Sequence, residues 1–216
     1  MNIGIFANYL VFEQAGVGRY ARNLLKNLLK IDKTNHYYLY FFFFRHQRKR
    51  LAKVQNFLKL RKKQVTIKVF PIPAVWMEFL SGTNFPLEII IKDPIDVFFS
   101  PYAAGIAKNG FARSIFTCHD LVFVRFPEHR GQKLSSYYYK RHQIAIKNSK
   151  KIIVPSLSTK KDLINYLKVP KHKIKLIPEA VEDHFKVLKT HRQKDRNLLN
   201  QKISQYFDPK INYILS

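Results

Sequence analysis

Asn2-Ile3-Gly4-Ile5-Phe6-Ala7, followed after a short interval by Gly16-Val17-Gly18-Arg19-Tyr20-Ala21-Arg22-Asn23-Leu24-Leu25, is the stretch whose reading decides the fold. Ile3 to Ala7 is a short apolar run of the kind a sheet buries on both faces. Tyr20, Leu24, Leu25, Leu28 and Leu29 then recur at helical spacing, with a loop expected through Gly16 and Gly18. Strand, glycine loop, helix is the opening of a βαβ unit. The same alternation continues outward. Tyr37–Phe44, Val65–Phe70, Asp96–Ser100, Ser114–Cys118, Lys151–Val154 and Ile174–Ile177 read as further strands. Gln132–Asn148 reads as a helix, and Ser156 or Ser158 can cap another that runs to Leu167 before Val169-Pro170 ends it. The expected fold class is therefore α/β, a doubly wound parallel sheet flanked by helices.

At 216 residues the chain can bury roughly 70% of its unfolded surface, and 46% apolar and 14% aromatic residues supply a core. The outlying property is charge: 39 Lys and Arg against 14 Asp and Glu leave a formal +25. Such a field attracts nucleic acid, anionic lipid or phosphorylated substrates, while a compositional bias toward Lys, Asn, Ile, Phe and Tyr explains part of it equally well. One cysteine, Cys118, excludes an internal disulfide and a multi-cysteine zinc site, and fits a reducing compartment. The first residues lack the basic region of a signal peptide, and the longest apolar run, Tyr37 to Phe44, falls far short of the ~18 residues that span a bilayer. The expected location is cytoplasmic, peripheral at the inner face of a membrane.

Four groups of residues carry candidate chemistry. Gly16 and Gly18, with Arg19, stand where a strand passes into a helix, so backbone amides there can approach a phosphate or a sugar, or the glycines simply make a turn. They do not complete G-x-G-x-x-G, because Ala21 holds the last position. Thr117-Cys118-His119-Asp120-Leu121 lies at the carboxyl end of an expected strand, the edge at which open α/β sheets bind ligands. His119 can exchange a proton near neutral pH, and Asp120 can orient it or hold a sugar hydroxyl. Arg45 to Gln64 carries nine Lys or Arg and no acid. There Leu51, Val54 and Leu58 share one helical face while Arg48, Lys49, Lys53 and Lys62 project elsewhere, as in a membrane-facing helix or a crossover helix packed on the sheet. Tyr137-Tyr138-Tyr139 before Lys140-Arg141 offers base stacking beside phosphate contacts, but consecutive helical residues diverge, so at least one of the three enters the core.

Taken in order, these segments resemble the N-terminal, acceptor-side domain of family 4 glycosyltransferases of the GT-B fold. Asn2 to Ile5 and Ala15 to Leu25 resemble its opening, and Asp96-Val97-Phe98-Phe99-Ser100-Pro101-Tyr102 its strand into the acceptor cleft. His119-Asp120-Leu121 with Phe126-Pro127-Glu128 resembles its HDL and FPE element. Ser156-Leu157-Ser158 with Asp162-Leu163 resembles a helix start, and Ile177-Pro178-Glu179-Ala180-Val181-Glu182 an exit strand usually written I-P-N-G-V-D. Ala15 stands where many members have a second glycine, and Glu179-Ala180 replaces Asn-Gly.

The resemblance implies a Rossmann-like domain over residues 1–187 and, over 188–216, an interdomain linker and the first strand, Tyr213-Ile214-Leu215, of a C-terminal domain cut short. It implies a retaining transfer of sugar from a nucleotide-sugar to a polysaccharide or lipid-linked saccharide. No metal or other cofactor is expected. His119 would lie at the reacting sugar, with Gly16, Gly18, Arg19, Tyr102, Asp120, Ser156 and Lys160 contacting donor phosphate or acceptor. The donor belongs to the C-terminal domain, so the chain is expected to be a fragment, a truncated product or one subunit of a split enzyme, its donor-binding half supplied by a separate polypeptide. The alternative from another class is a basic α/β nucleic-acid-binding module.

Overall fold

The computed structural model describes residues 1–11, 15–43, 49, 51–52, 54, 62–81, 89–106 and 113–180. Seven strands form one sheet: β1 Asn2–Phe6, β2 His36–Phe42, β3 Val65–Phe70, β4 Val97–Ser100, β5 Arg113–Thr117, β6 Lys151–Val154 and β7 Ile174–Leu176. All neighbours are parallel and the spatial order is β3-β2-β1-β4-β5-β6-β7. This is the expected doubly wound, Rossmann-like arrangement. The order reverses between β1 and β4, and at such a switch point the loops leaving the carboxyl ends diverge and open a crevice.

The described helices are α1 Gly16–Ile31, α2 Ala74–Ser81, α3 Val122–Arg125, α4 Gln132–Asn148 and α5 Leu157–Leu167. Alternation along the strands sorts the core into two layers. Ile5, Leu39 and Phe41 face one way and pack with Ala21, Leu25 and Leu29 of α1. Phe6, Tyr40, Phe42, Phe98, Phe116 and Ile152 face the other and pack with Met77 of α2, Ala145 of α4 and Leu163 of α5. Leu51 and Val54 join the α1 layer, so this part of the basic stretch packs on the sheet, and Lys49 is exposed. Arg48, Lys53 and Leu58, and the side chain of Lys62, lie outside the described residues.

Two corrections concern the helices. Gly16 opens α1, so Gly16 and Gly18 form its first turn rather than a loop before it. Ala15, the preceding residue, has no side-chain acceptor for the first-turn amides, which leaves no capping signal for a reader of the sequence. Helix α2 was not expected. Its sequence, AVWMEFLS, is apolar on several sides, and it buries Met77 while Trp76 and Phe79 stay exposed, so no 3.6-residue stripe marks it.

At the amino edge of the sheet, acids tie the chain together. Asp32 accepts hydrogen bonds from the backbone amides of Thr34 and Asn35, from both of their side chains, and from the Tyr37 hydroxyl at 2.6 Å. These donors favour its ionised form and hold its carboxyl far below the usual range, the Tyr37 hydroxyl most strongly. Asp96 accepts from the Asn2 amide at 2.8 Å, and Asp93 from Lys68 and the Tyr40 hydroxyl. The chain divides into two compact units, Met1–Glu179 and Ala180–Ser216. Of the second, only Ala180 is described, so Tyr213-Ile214-Leu215 lies outside the described residues.

Candidate functional site

Five chain segments meet at the carboxyl edge around His119. Strand β4 runs out into Pro101–Ile106, a loop folded back on itself by Ser100 Oγ–H donating to the Ala104 carbonyl at 2.7 Å. Gly105 in this loop has φ +65°, and a Cβ there would collide with the Phe6 ring. Only glycine allows both the left-handed backbone and the close approach. Strand β5 passes into Cys118–Leu121, where the Cys118 amide still bonds to the Ile153 carbonyl at 2.9 Å. Cys118 is buried in the core layer of Phe116 and Ile152, and burial raises its thiol well above the ordinary value, so it is no nucleophile.

One residue on, His119 turns into the crevice. Its Nε2 lies 2.9 Å from the Pro101 carbonyl and its Nδ1 2.9 Å from Glu179 Oε1. Both ring nitrogens thus face acceptors, and both bonds form together only with hydrogen on each nitrogen. The Tyr20 ring of α1 meets the imidazole at 87° and 4.8 Å, and the Tyr20 hydroxyl pairs with Thr117 Oγ1 at 2.9 Å. Thr159 of α5 donates its hydroxyl to the His119 carbonyl at 3.0 Å. The imidazole is consequently fixed from β4, α1 and the segment after β7, and the His119 backbone from α5. The His119 side chain is 17% exposed and that of Glu179 42%, so Glu179 is the contact that solvent or a ligand can replace.

Aromatic residues and one arginine build the adjoining wall. Arg141 of α4 donates to the Ala103 carbonyl at 2.9 Å and to the Tyr9 and Tyr137 hydroxyls, and its guanidinium lies 5.5 Å from the Tyr102 ring centre. Burial raises the Tyr102 phenol above its usual range, keeping it a neutral donor. Beneath it, His142 is fully buried against Tyr102 and Phe123. Its Nδ1–H donates to the Tyr138 carbonyl at 2.9 Å, and Nε2 has no hydrogen-bond partner among the described residues. Burial pushes this imidazole down to about 4, so it is neutral at ordinary pH.

The residues named from the sequence distribute as follows. His119 and Tyr102 adjoin each other, their rings stacked with centres 6.4 Å apart. Asp120 is exposed and its Oδ1 accepts from the Val122 amide at 3.1 Å, starting α3 rather than orienting His119. Between the two capping serines, Ser156 is the one used, accepting from the Thr159 amide at 3.0 Å. Lys160 follows in the first turn of α5, half-buried, and Gly16 and Arg19 are exposed at the start of α1 while Gly18 is buried. Sequence reasoning missed Glu179, Tyr20, Thr159 and Arg141 as site residues. Glu179 was noticed only as a departure from Asn, and its separation of 60 residues from His119 hides the pairing.

Among the described residues no group of three or more His, Cys, Asp or Glu is placed to hold a metal ion, and no helix is long and apolar enough to cross a membrane. In the Tyr137–Tyr139 run, Tyr138 packs on the core as expected, with Tyr137 and Tyr139 outside. No curated protein matches the chain. The family model described as Glycosyltransferase Family 4 matches residues 15–185, a span holding every residue of the carboxyl-edge site except Tyr9. The seven-stranded parallel sheet and this match agree with the N-terminal half of a GT-B fold, and the chain belongs to Glycosyltransferase Family 4.

Proposed function

We propose that Met1–Glu179 is the acceptor-side domain of a retaining glycosyltransferase that moves a sugar from a nucleotide-sugar to a polysaccharide or lipid-linked saccharide. The convergence of four elements on His119 at the carboxyl edge carries this proposal. A side chain fixed at that cost of ordering has a task beyond packing, since a core histidine needs no exposed carboxylate partner.

His119 sits where a sugar bound in the crevice meets both a hydrogen-bond donor and aromatic walls. An incoming hydroxyl displaces Glu179 and takes the Nδ1–H, while the Pro101 carbonyl keeps the ring in place through Nε2. Tyr102 and Tyr20 offer faces and edges to the sugar ring, and Arg141 holds the loop that carries Tyr102. Gly16, Gly18 and Arg19, at an α1 start without a side-chain cap, would meet a phosphate, with Asp120, Ser156 and Lys160 at the rim. The nucleotide-sugar itself goes to a second Rossmann-like domain, on this polypeptide or another. No metal is required in this scheme, the diphosphate charge being met by helix amides and cations.

The test is sugar transfer from nucleotide-sugars to saccharide and lipid-linked acceptors, by this chain alone and with a separately supplied donor-binding domain of the family. His119→Ala is expected to lower transfer about 100-fold or more without unfolding the domain. Wild-type rates in that variant, or a folded chain that binds no saccharide in either setting, would sink the proposal.

A further inference from the structure

Helix α4 has an exposed face that adjoins the cleft. Ser135, His142 and Ala145 point into the core. Lys133, Leu134, Tyr137 and Lys140 recur at three- and four-residue spacing and are exposed, and Arg130, just before the helix, lies 5.4 Å from the Tyr138 ring centre. Leu134 is 44% exposed and Tyr137 43%, and Phe126, at the turn leading into the helix, is 40% exposed. From His129 to Lys161 the chain has nine Lys or Arg and no acid. Apolar side chains interleaved with long cations that can snorkel around them are what a helix lying in a lipid–water interface requires.

We propose that this face of α4 docks on an anionic phospholipid bilayer. Two observations select this occupant. The charge is complementary, since the whole chain carries +25 and this segment lacks any acid to oppose it. The apolar component includes Leu134, an aliphatic side chain that adds nothing to tracking a nucleic-acid backbone but gains free energy on entering acyl chains. The face is also continuous with the cleft: Arg141, on the same side of α4, reaches the Ala103 carbonyl and the Tyr9 hydroxyl. Resting on the proposed transferase activity, docking here brings the crevice to the lipid surface that would carry a lipid-linked acceptor. It is a contact separate from the Arg45–Gln64 stretch, whose Leu51 and Val54 pack in the α1 layer.

The experiment is co-sedimentation of the full chain with phosphatidylcholine vesicles, with and without 30% phosphatidylglycerol (about that fraction suffices to give the surface a strong negative potential), at low and high salt. Binding to the anionic vesicles alone, weakened by salt, is expected. The triple variant Lys133→Glu, Leu134→Ser, Lys140→Glu is expected to bind at least about tenfold more weakly, with circular dichroism unchanged. Should that variant misfold, Leu134→Trp in a Trp76→Phe background serves instead, its fluorescence shifting to the blue with anionic vesicles. Undiminished binding by the folded triple variant, an unshifted signal from the introduced tryptophan, or no vesicle binding by the parent overturns the proposal. Salt-dependent DNA binding that the triple variant loses, in a chain that ignores vesicles, overturns it in favour of nucleic acid. Sedimentation needs no catalysis, so a chain that binds anionic vesicles but transfers no sugar even with a separately supplied donor-binding domain keeps this inference and removes the transferase reading.

Discussion

The two edges of the sheet spend their charged residues differently. At the amino edge, Asp32 collects five hydrogen bonds from its own turn and Tyr37, and Asp96 and Asp93 anchor neighbouring strands. At the carboxyl edge, Glu179 makes one exposed contact with His119, and His142 lies buried with a ring nitrogen left without a partner among the described residues. The amino edge ties its acids to neighbouring strands and serves the fold, although the buried Ser149 hydroxyl before β6 also has no partner among the described residues. The other keeps an unmet nitrogen in the core, which costs stability, and an exposed Glu179 contact that a ligand can replace.

This contrast can be broken at several points. The largest effect is expected at the loop that shapes the cleft: Gly105→Ala forces a left-handed backbone and drives Cβ into the Phe6 ring, for a loss of about 3 kcal/mol or more by chemical denaturation. Near-wild-type stability there would mean that the loop folds otherwise.

Acid titration separates the two edges. His142 is depressed from 6.5 to about 4, so the unfolded chain takes up its proton first as pH falls, and stability is lost between those two values. The span is worth about 3 kcal/mol for a side chain as buried as this one. His142→Leu should flatten the profile in that window. Asp32 behaves oppositely in cause and lies lower in pH: its folded carboxyl is depressed, so its contribution is intact above its unfolded value, near 4, and is lost only below it. Asp32→Asn should therefore lower stability by a constant amount across the His142 window without changing its shape, and that deficit should shrink only in the more acidic range, as followed by thermal melts across pH. A single merged transition in both variants would erase the distinction between the edges. The smallest change is Ser156→Ala, which removes the α5 cap and should cost about 1 kcal/mol, with a further loosening of the His119 loop through Thr159 visible in amide exchange.

The sheet was largely legible before the structure because its strands are short apolar runs bounded by polar residues. Val65–Phe70, Lys151–Val154 and Gln132–Asn148 have the expected ends, since each is flanked by residues that punctuate it. Helix α2 escaped because its apolar residues include the buried Met77 and the exposed Trp76 and Phe79, which leaves no stripe, and the start of α1 escaped because Ala15 is not a capping residue. His119 was found from its place at a strand end. Glu179, Tyr20 and Thr159 were not, because nothing in a linear sequence relates residues 20, 119, 159 and 179.

By itself, then, the sequence determined the element types, the parallel order of βαβ units, the excess of positive charge and the histidine at the carboxyl end of β5. These follow from local periodicity and composition, which are properties of neighbouring residues. The tertiary structure decided which side chains surround that histidine, which of two serines caps α5, which face of α4 is left outside and which histidine is silenced by burial. Each of these depends on distances between residues far apart in the chain, and such distances are set only when the two layers close over the sheet.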